Sequence, residues 1–379
     1  MKWIIIMAIR TIYDEEFFYK NILREEKENV IEIINKKKEY YYNKTINKKN
    51  GVRNLKCIIE DSPLYFLQKN LVNYFLNNIP LPLYVYGFRK GVSYKKYLEV
   101  HLREEVDNNY LESNSRKDVS KDCLQPHLRN YIGKKTCYIR IDIKSFFDSI
   151  NLDLIKKIFS NYFTPKDSFL KDELLEIFSQ IVTLDNLLPQ GAVTSPTISN
   201  IIFIREDIRI YNYCNKLNIK YSRYADDMLF SSKHNKVFKT YFINMITKIL
   251  DENGFKINYS KTKKGLDEIS LNGFVISNCI SLSRGRKHDI SKILYIFDTL
   301  KPFSTSTYLN MLNDKDNNFK YIKYKADCYF SSRGKLINYL CGYRSFLINW
   351  LPRENEELTY NKVKRLIDRI QEVILKIQE

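Results

Sequence analysis

Two adjacent carboxylates, Asp226 and Asp227, are the residues of this sequence with the clearest capacity for chemistry. The residues on both sides of the pair form a short apolar hairpin pattern, which predicts two strands joined by a turn at the aspartates. Carboxylates exposed at a turn suit hard divalent cations, because these ions prefer oxygen ligands. An Asp-Asp turn is most often an ordinary solvated turn, so the pair alone does not define a site.

A third carboxylate, Asp142, lies near the end of another predicted strand, which begins at Ile139. Two-metal phosphoryl transfer needs carboxylates from separate segments that converge on ions about 3.5–4 Å apart. One ion lowers the pKa of the attacking hydroxyl, and the other stabilises the leaving phosphate. We therefore interpret Asp142 as a metal ligand. For Asp148 we favour a structural role, as the side-chain cap of a helix predicted over 150–159.

Between these segments, Pro189 to Gly191 and the Ser195-Pro196 pair predict a tight loop that leads into a helix. Read as structure alone, this stretch is a turn and a helix start. In order along the chain, however, three segments resemble motifs A, B and C of reverse transcriptases: DIKSFFDSI, LPQGAVTSPTISN and RYADDMLF. Asp142 and Asp226 are 84 positions apart (226 minus 142), a separation that suits such a palm.

The resemblance extends in both directions and covers about residues 39 to 290 in the correct order. Four further segments resemble a fingers segment, a second finger motif of bacterial reverse transcriptases, motif D with Lys261, and the start of the primer grip. They are, in that order, INKKNGVR at 46–53, YGFRKGVS at 86–93, NGFKIN at 253–258 and LNGFV at 271–275.

The resemblance implies the metal ligands and the sugar selectivity. Asp142 and Asp226, supported by Asp227, are expected to hold two Mg²⁺ ions, with Mn²⁺ as an alternative. Phe147, five positions after Asp142, is expected to be the steric gate under the sugar 2′ position, which favours deoxynucleotides. Phe146 is instead expected to be a core aromatic residue.

The remaining expected site residues contact the nucleotide, the primer and the leaving group. Lys261 is the candidate for protonating the pyrophosphate, and a surface lysine is the alternative reading. The others are Lys48 and Arg53 for the triphosphate, Gln190 and Gly191 beside the incoming nucleotide, and Tyr224 and Ala225 against the primer end.

The composition favours a polyanionic partner. The 379 residues carry a formal net charge of +18, although a Lys- and Asn-rich genome is an alternative explanation for this charge.

The seven cysteines lack CxxC or zinc spacing and suggest reduced thiols in a cytoplasmic protein. The apolar run after Met1 is too short for export, no membrane span is predicted, and Met7 is an alternative start.

The order of the predicted elements indicates an α+β right-hand polymerase fold: fingers, a palm with an antiparallel sheet, and a helical C-terminal thumb. We assign residues 1–135 to an N-terminal segment and the fingers, with a polar insertion at 103–135. Residues 136–290 form the palm with motifs A to E, and residues 291–379 form the thumb. Helices are predicted over 150–159, 196–216, 236–253, 291–300, 334–350 and 361–377.

The resemblance implies an RNA-directed DNA polymerase that adds dNTPs to a primer. Retron enzymes carry an NAxxH element where this chain keeps only His101, and Val-Thr-Gly where it has Leu271-Asn272-Gly273. We therefore favour the defence-associated, antiphage group, which implies a noncoding RNA template and a DNA product. The alternatives are retron-type, template-independent or protein-primed synthesis, an RNA-dependent RNA polymerase and a catalytically silent RNA-binding scaffold. Two further partners are left open: a second copy of this chain, in a homo-oligomer, and a second defence protein.

Overall fold

The computed structural model describes residues 11–48, 51–102, 135–317, 319, 322, 328–351 and 357–379. The chain divides into two compact units. The first comprises Met1–Val100 and Ile139–Lys264, and the second comprises His101–Tyr138 and Gly265–Glu379. The predicted insertion at 103–135 lies almost wholly outside the described residues, as does the choice between Met1 and Met7.

Helices and strands alternate through the first unit, and helices dominate the second. The helices are α1 Lys27–Asn35, α2 Pro63–Tyr74, α3 Tyr94–Glu99, α4 Leu152–Phe159, α5 Ser168–Val182, α6 Ser195–Ile202, α7 Ile204–Lys216, α8 Thr240–Asp251, α9 Arg284–Thr299, α10 Thr305–Leu312, α11 Arg333–Asn349 and α12 Glu357–Gln378. The strands are β1 Tyr41–Lys48, β2 Gly51–Ile58, β3 Cys137–Lys144, β4 Lys220–Tyr224, β5 Asp227–Ser232, β6 Lys256–Leu266, β7 Ile269–Leu271, β8 Phe274–Ile276 and β9 Ile280–Leu282.

A four-stranded sheet in the order β4-β5-β3-β6 forms the centre of the first unit. Ile139, Ile141 and Ile143 of β3 are fully or almost fully buried, as expected for an inner strand of a covered sheet. β4 and β5 form the antiparallel hairpin that the sequence predicts, with Tyr224 opposite Asp227. The turn residues are therefore Ala225 and Asp226, and Asp227 is already the first residue of a strand.

A second antiparallel hairpin, β1–β2, occupies the region assigned to the fingers, with Lys48 opposite Gly51 at its tip. The base of this hairpin contacts the Pro189–Gly191 loop, since the Ile58 N–H donates to the Gly191 carbonyl at 3.3 Å. This contact connects the β1–β2 hairpin to the loop that precedes α6.

The helix predicted over 150–159 begins at Leu152, and the prediction that Asp148 caps it is wrong. The Asn151 side chain is the cap and accepts from the Leu154 N–H at 2.8 Å. Asp148 lies too far before Leu152 to cap the helix, because residues 145–150 form tight turns. In these turns the Ser149 N–H donates to the Ser145 carbonyl at 2.9 Å.

The helix predicted over 196–216 is two helices, α6 and α7, that are interrupted at Phe203. The Phe203 ring packs against Phe146 and Phe255 in the core of the first unit. A single helical period in the sequence does not reveal this break.

The second unit contains the small antiparallel sheet β7-β8-β9 and the four helices α9 to α12. Asn272 and Gly273, which join β7 to β8, both have positive φ, as in a type I′ hairpin turn. Phe274 of β8 stacks on Trp350 with ring centroids 3.7 Å apart. The helical C-terminal region predicted from the sequence is confirmed.

No helix in the described part of the chain is long and apolar enough to cross a membrane. The six described cysteines are all free thiols.

Candidate active site

The sheet brings Asp142 and Asp226 to neighbouring positions. Asp142 lies on β3 and is 2% exposed, and Asp226 lies in the turn between β4 and β5. The Ile143 N–H donates to the Asp226 carbonyl at 3.0 Å, which fixes the turn against β3. Burial is the main cause that raises the pKa of Asp226, and the nearby Asp142 carboxylate raises it further. The two carboxylates therefore form an electrostatically unfavourable pair that a cation would stabilise.

Asp227 faces a different partner, Arg140 of β3. Arg140 Nε donates to Asp227 Oδ1 at 2.8 Å, and Arg140 Nη2 donates to the same oxygen. Arg140 Nη2 also lies 3.9 Å from Asp142 Oδ2. Burial raises the pKa of Asp227, and Arg140 partly offsets this effect. The metal role of Asp227 stays a prediction, and its observed role is to bind Arg140.

Arg140 is a site residue that the sequence reasoning missed. It stands two positions before Asp142 on the same strand, and residues two apart on a strand point to the same face. This spacing was the available signal. It identifies Arg140 as a neighbour of Asp142 but does not identify Asp227, which is 87 positions away, as its partner.

Lys261 of β6 contacts the Asp142 carboxylate. Its Nζ atom lies 3.2 Å from Asp142 Oδ1 and 3.4 Å from Asp142 Oδ2. The Lys261 side chain is 55% exposed, so it can leave this ion pair without any change in the core. The structure thus brings Lys261 to the site, and its role as a proton donor stays a prediction.

The oxygen atoms at this position suit a divalent cation. Asp142 Oδ1 is buried and accepts no hydrogen bond from the described residues, so its capacity as an acceptor is unused apart from the charge of Lys261. Mg²⁺ in phosphoryl-transfer sites is commonly held by one or two carboxylates together with substrate phosphates. Within the described residues, no group of three or more His, Cys, Asp and Glu side chains forms a metal cage. Asp142 and Asp226 therefore supply oxygen ligands that suit a divalent cation.

Arg53, Gln190 and Asp148 form a chain of hydrogen bonds. Arg53 Nη2 donates to Gln190 Oε1, and Gln190 Nε2 donates to Asp148 Oδ1 at 3.3 Å. Gly191 has φ +126°, and a Cβ there would lie 2.8 Å from the Lys56 carbonyl oxygen. Only glycine fits this close approach of the fingers hairpin. The structure thus brings Arg53, Gln190 and Gly191 together.

The two phenylalanines of motif A point to different environments. Phe146 is 3% exposed and packs against Phe203 and Phe255, as predicted for a core residue. Phe147 is half-buried, and its ring centroid lies 6.1 Å from that of Phe88. Phe147 is therefore accessible to a ligand in a way that Phe146 is not.

Tyr224 and Ala225 lie at the carboxylate turn itself. The half-buried Tyr224 ring meets Tyr94 of α3 edge to face, with centroids 4.9 Å apart. Ala225 is 7% exposed and has φ +56°, which is a left-handed conformation.

The antiparallel hairpins, the sheet that carries the carboxylates and the helical C-terminal region define the right-hand polymerase fold. The chain matches the family model described as reverse transcriptase (RNA-dependent DNA polymerase) over residues 67–322. Because this match covers more than half of the chain, the protein belongs to the reverse transcriptase family.

Known relatives include retron reverse transcriptases. The Escherichia coli retron Ec48 enzyme is 31% identical over 159 residues, which are 41% of this chain and 36% of that protein. The Salmonella heidelberg retron Se72 enzyme is 25% identical over 240 residues, 61% of this chain and 53% of that protein. The chain thus spans between a third and about half of the length of these two relatives. An apo telomerase structure from Candida tropicalis is similar with a TM-score of 0.40 and 13% identity, over 64% of this chain and 55% of that one. That likeness is too low to support any argument.

Proposed function

We propose that this chain is an RNA-directed DNA polymerase that adds dNTPs to a primer with the help of two Mg²⁺ ions, with Mn²⁺ as an alternative. The observation that carries the proposal is the pair of buried or half-buried carboxylates, Asp142 and Asp226, on adjacent segments of one sheet. The buried Oδ1 atom of Asp142 accepts no hydrogen bond from the described residues and is ion-paired with the exposed Lys261 side chain at 3.2 Å. Bound there, the ions would lower the pKa of the primer hydroxyl and neutralise the charge of the leaving pyrophosphate.

The side chains around the carboxylates have separate tasks in this proposal. Arg140 holds Asp227 in place and lowers the repulsion among three carboxylates that lie close together. Arg53, oriented by Gln190, offers its planar guanidinium to the triphosphate. Lys261, whose exposed side chain pairs with Asp142, would be placed to protonate the pyrophosphate when Asp142 holds a cation instead.

We expect the substitution Phe147→Val to raise ribonucleotide incorporation relative to deoxyribonucleotide incorporation. The half-buried ring would exclude a 2′-hydroxyl by its bulk, and its removal takes away the clash without creating a new contact. Loss of such a packing constraint changes discrimination by about tenfold to a hundredfold. The measurement is a competition between the two nucleotide pools on one primer–template.

The matched control is Phe159→Leu, since this fully buried ring packs in the core against Tyr162 and Phe178. It should lower stability but leave sugar selectivity unchanged. If Phe147→Val keeps the selectivity of the wild-type chain, the steric gate is another residue.

We propose that the template is one dedicated noncoding RNA. The net charge of +18 supports RNA binding, and the retron relatives favour a retron-type template over template-independent synthesis. Phosphate contacts would give most of the affinity, and RNA shape and unpaired bases would give the specificity.

The expected result is that one small RNA dominates the nucleic acid crosslinked to the protein in native cells, and that binding falls steeply as salt rises. Sequencing the copurified nucleic acid before and after the addition of dNTPs identifies both template and product. A broad spread of cellular RNAs would contradict a dedicated template and would favour a promiscuous polymerase.

An antiphage role in the cytoplasm, with a second copy of the chain or a second defence protein as partner, belongs to the same proposal. It rests on the resemblance to defence-associated reverse transcriptases. Plaque counts on cells that carry the wild-type or the Asp226→Asn chain test it, and equal counts would contradict a defence that depends on synthesis.

A further inference from the structure

The carboxylate turn has an unusual backbone. Ala225 has φ +56°, and Asp226 is not among the residues with positive φ. This pattern is that of a type II′ turn, whose first central position is normally occupied by glycine. An alanine in this conformation is strained and persists only where the surroundings hold it in place.

Arg223, two residues before Ala225, supplies that restraint. It is fully buried, and its Nη1 atom donates to the Ala225 carbonyl at 2.9 Å and to Asn200 Oδ1 at 3.1 Å. Its other edge forms a bidentate pair with Asp207 of α7, through Nε at 2.9 Å and Nη2 at 2.7 Å. The guanidinium fork thus reaches the helix and the catalytic turn at the same time.

Three further contacts fix the partners of Arg223. Tyr221 donates its hydroxyl to Asp207 Oδ1 at 2.6 Å. Asn200 Nδ2 donates to the Gly87 carbonyl at 2.8 Å. The Arg223 carbonyl accepts from the Tyr86 N–H, also at 2.8 Å. All of these residues belong to the first unit, so the network connects α6, α7, β4 and the 86–87 segment within one body.

We infer that Arg223, held by Asp207 and Asn200, is a positioning residue that sets the direction of the Asp226 carboxylate by anchoring the strained Ala225 peptide. This inference rests on the proposed function, because it assigns the network to the catalytic turn. A buried ion pair contributes little net stability compared with well-packed apolar residues, so structural support alone is a weak reason to bury an arginine here. Anchoring the Ala225 carbonyl next to a metal-binding carboxylate is a functional role that accounts for the buried Arg223–Asp207 ion pair.

The direct test is Arg223→Lys, which keeps a positive charge opposite Asp207 but loses the planar fork that reaches Ala225 and Asn200. We expect kcat to fall about thirtyfold to a hundredfold, which is the effect of a small misplacement of a catalytic group, while KM for dNTPs stays within about twofold. Asn200→Ala, which keeps the buried ion pair, is a second and milder variant and should change kcat in the same direction.

Two readouts separate positioning from stability. Hydrogen exchange of the turn amides, residues 224–227, should accelerate at least about tenfold in Arg223→Lys while the rest of the first unit keeps its protection. In addition, Ala225→Gly in the Arg223→Lys background should restore part of kcat, because glycine adopts a left-handed conformation without strain.

The matched control is Leu174→Ala, a cavity variant of a fully buried residue on α5, a helix that contributes no residue to the hydrogen bonds of Arg223 named above. If Arg223→Lys shows only the same general loss of protection as Leu174→Ala, or unchanged exchange at the turn, the inference is overturned. A wild-type chain that does not incorporate dNTPs would overturn the proposed function, whereas the exchange data would still decide whether Arg223 positions the turn.

Discussion

Asp142→Asn and Asp226→Asn are each expected to abolish dNTP incorporation, with a loss of at least about a thousandfold. Asparagine keeps the volume of the side chain but loses the charge that binds Mg²⁺. The contribution of such an ion to the transition state is several kcal/mol, and about 1.4 kcal/mol corresponds to a factor of ten in rate. Primer extension with a generic RNA template, at saturating dNTP and Mg²⁺, measures the effect.

The control for this experiment is the stability of the metal-free protein. Burial raises the pKa of Asp226, so the wild-type fold loses stability as pH rises from the ordinary carboxylate pKa through this raised value, and it stays less stable above it. A neutral asparagine side chain at this position would not cause this loss of folding stability. We therefore expect the Tm of metal-free Asp226→Asn to equal or exceed that of the wild-type chain at neutral pH. This advantage should disappear in acid, where the wild-type carboxyl group is protonated.

A folded Asp142→Asn or Asp226→Asn chain that retains more than a small fraction of wild-type turnover would show that the ligand assignment is wrong. Asp227→Asn separates the third carboxylate from these two. Because Asp227 is bound by Arg140, its replacement should affect activity through the position of Arg140 and less severely than either of the other changes.

The carboxylate strands could be predicted from the sequence because their signals are local. The alternation around Asp142 and the apolar flanks of the Asp226–Asp227 pair correspond to β3, β4 and β5. Glycines at close approaches also leave a local signal, as at Gly191, although the partner that comes close to them is not visible in the sequence. These features depend on residues that are near one another in the chain.

The polar networks could not be predicted, because their partners are distant in sequence and their choice depends on burial. A buried arginine such as Arg223 needs a carboxylate, but nothing in the spacing selects Asp207 among the 44 acidic residues of the chain. The wrong cap prediction at Asp148 has a related cause. The turns that follow Ser145 compete with the helix, and the freed Asp148 side chain pairs instead with Gln190 of a distant loop.

The Arg223 network holds the backbone of the carboxylate turn at the Ala225 carbonyl, so a steric change that touches only this backbone should be almost as harmful as the loss of a carboxylate. Gly87 provides such a change. A Cβ at Gly87 would lie 2.4 Å from the Ala225 nitrogen and 3.1 Å from the Tyr224 carbonyl carbon. Two hydrogen bonds, from Asn200 to the Gly87 carbonyl and from the Tyr86 N–H to the Arg223 carbonyl, keep the two segments in contact.

We expect Gly87→Ala to lower kcat about a hundredfold, because a shift of the turn by a fraction of an ångström to one ångström misdirects the Asp226 carboxylate. The clash involves backbone atoms on both sides, so no side-chain rotation relieves it. Primer extension at a temperature below the Tm of the variant measures the loss. The Asp142 side chain is untouched by this substitution, so the experiment tests the position of the turn rather than the number of ligands.

Gly342→Ala is the matched control, because it makes the same chemical change inside α11, where no described atom other than the helix's own nearby backbone and the adjacent residues lies within 4 Å of the added Cβ. It should stabilise the helix slightly and leave kcat unchanged. If Gly87→Ala and Gly342→Ala behave alike, the close packing of the 86–87 segment on Ala225 is not needed for activity. If kcat falls only in Gly87→Ala, and hydrogen exchange outside the turn stays normal in that variant, the close packing maintains the direction of the Asp226 carboxylate.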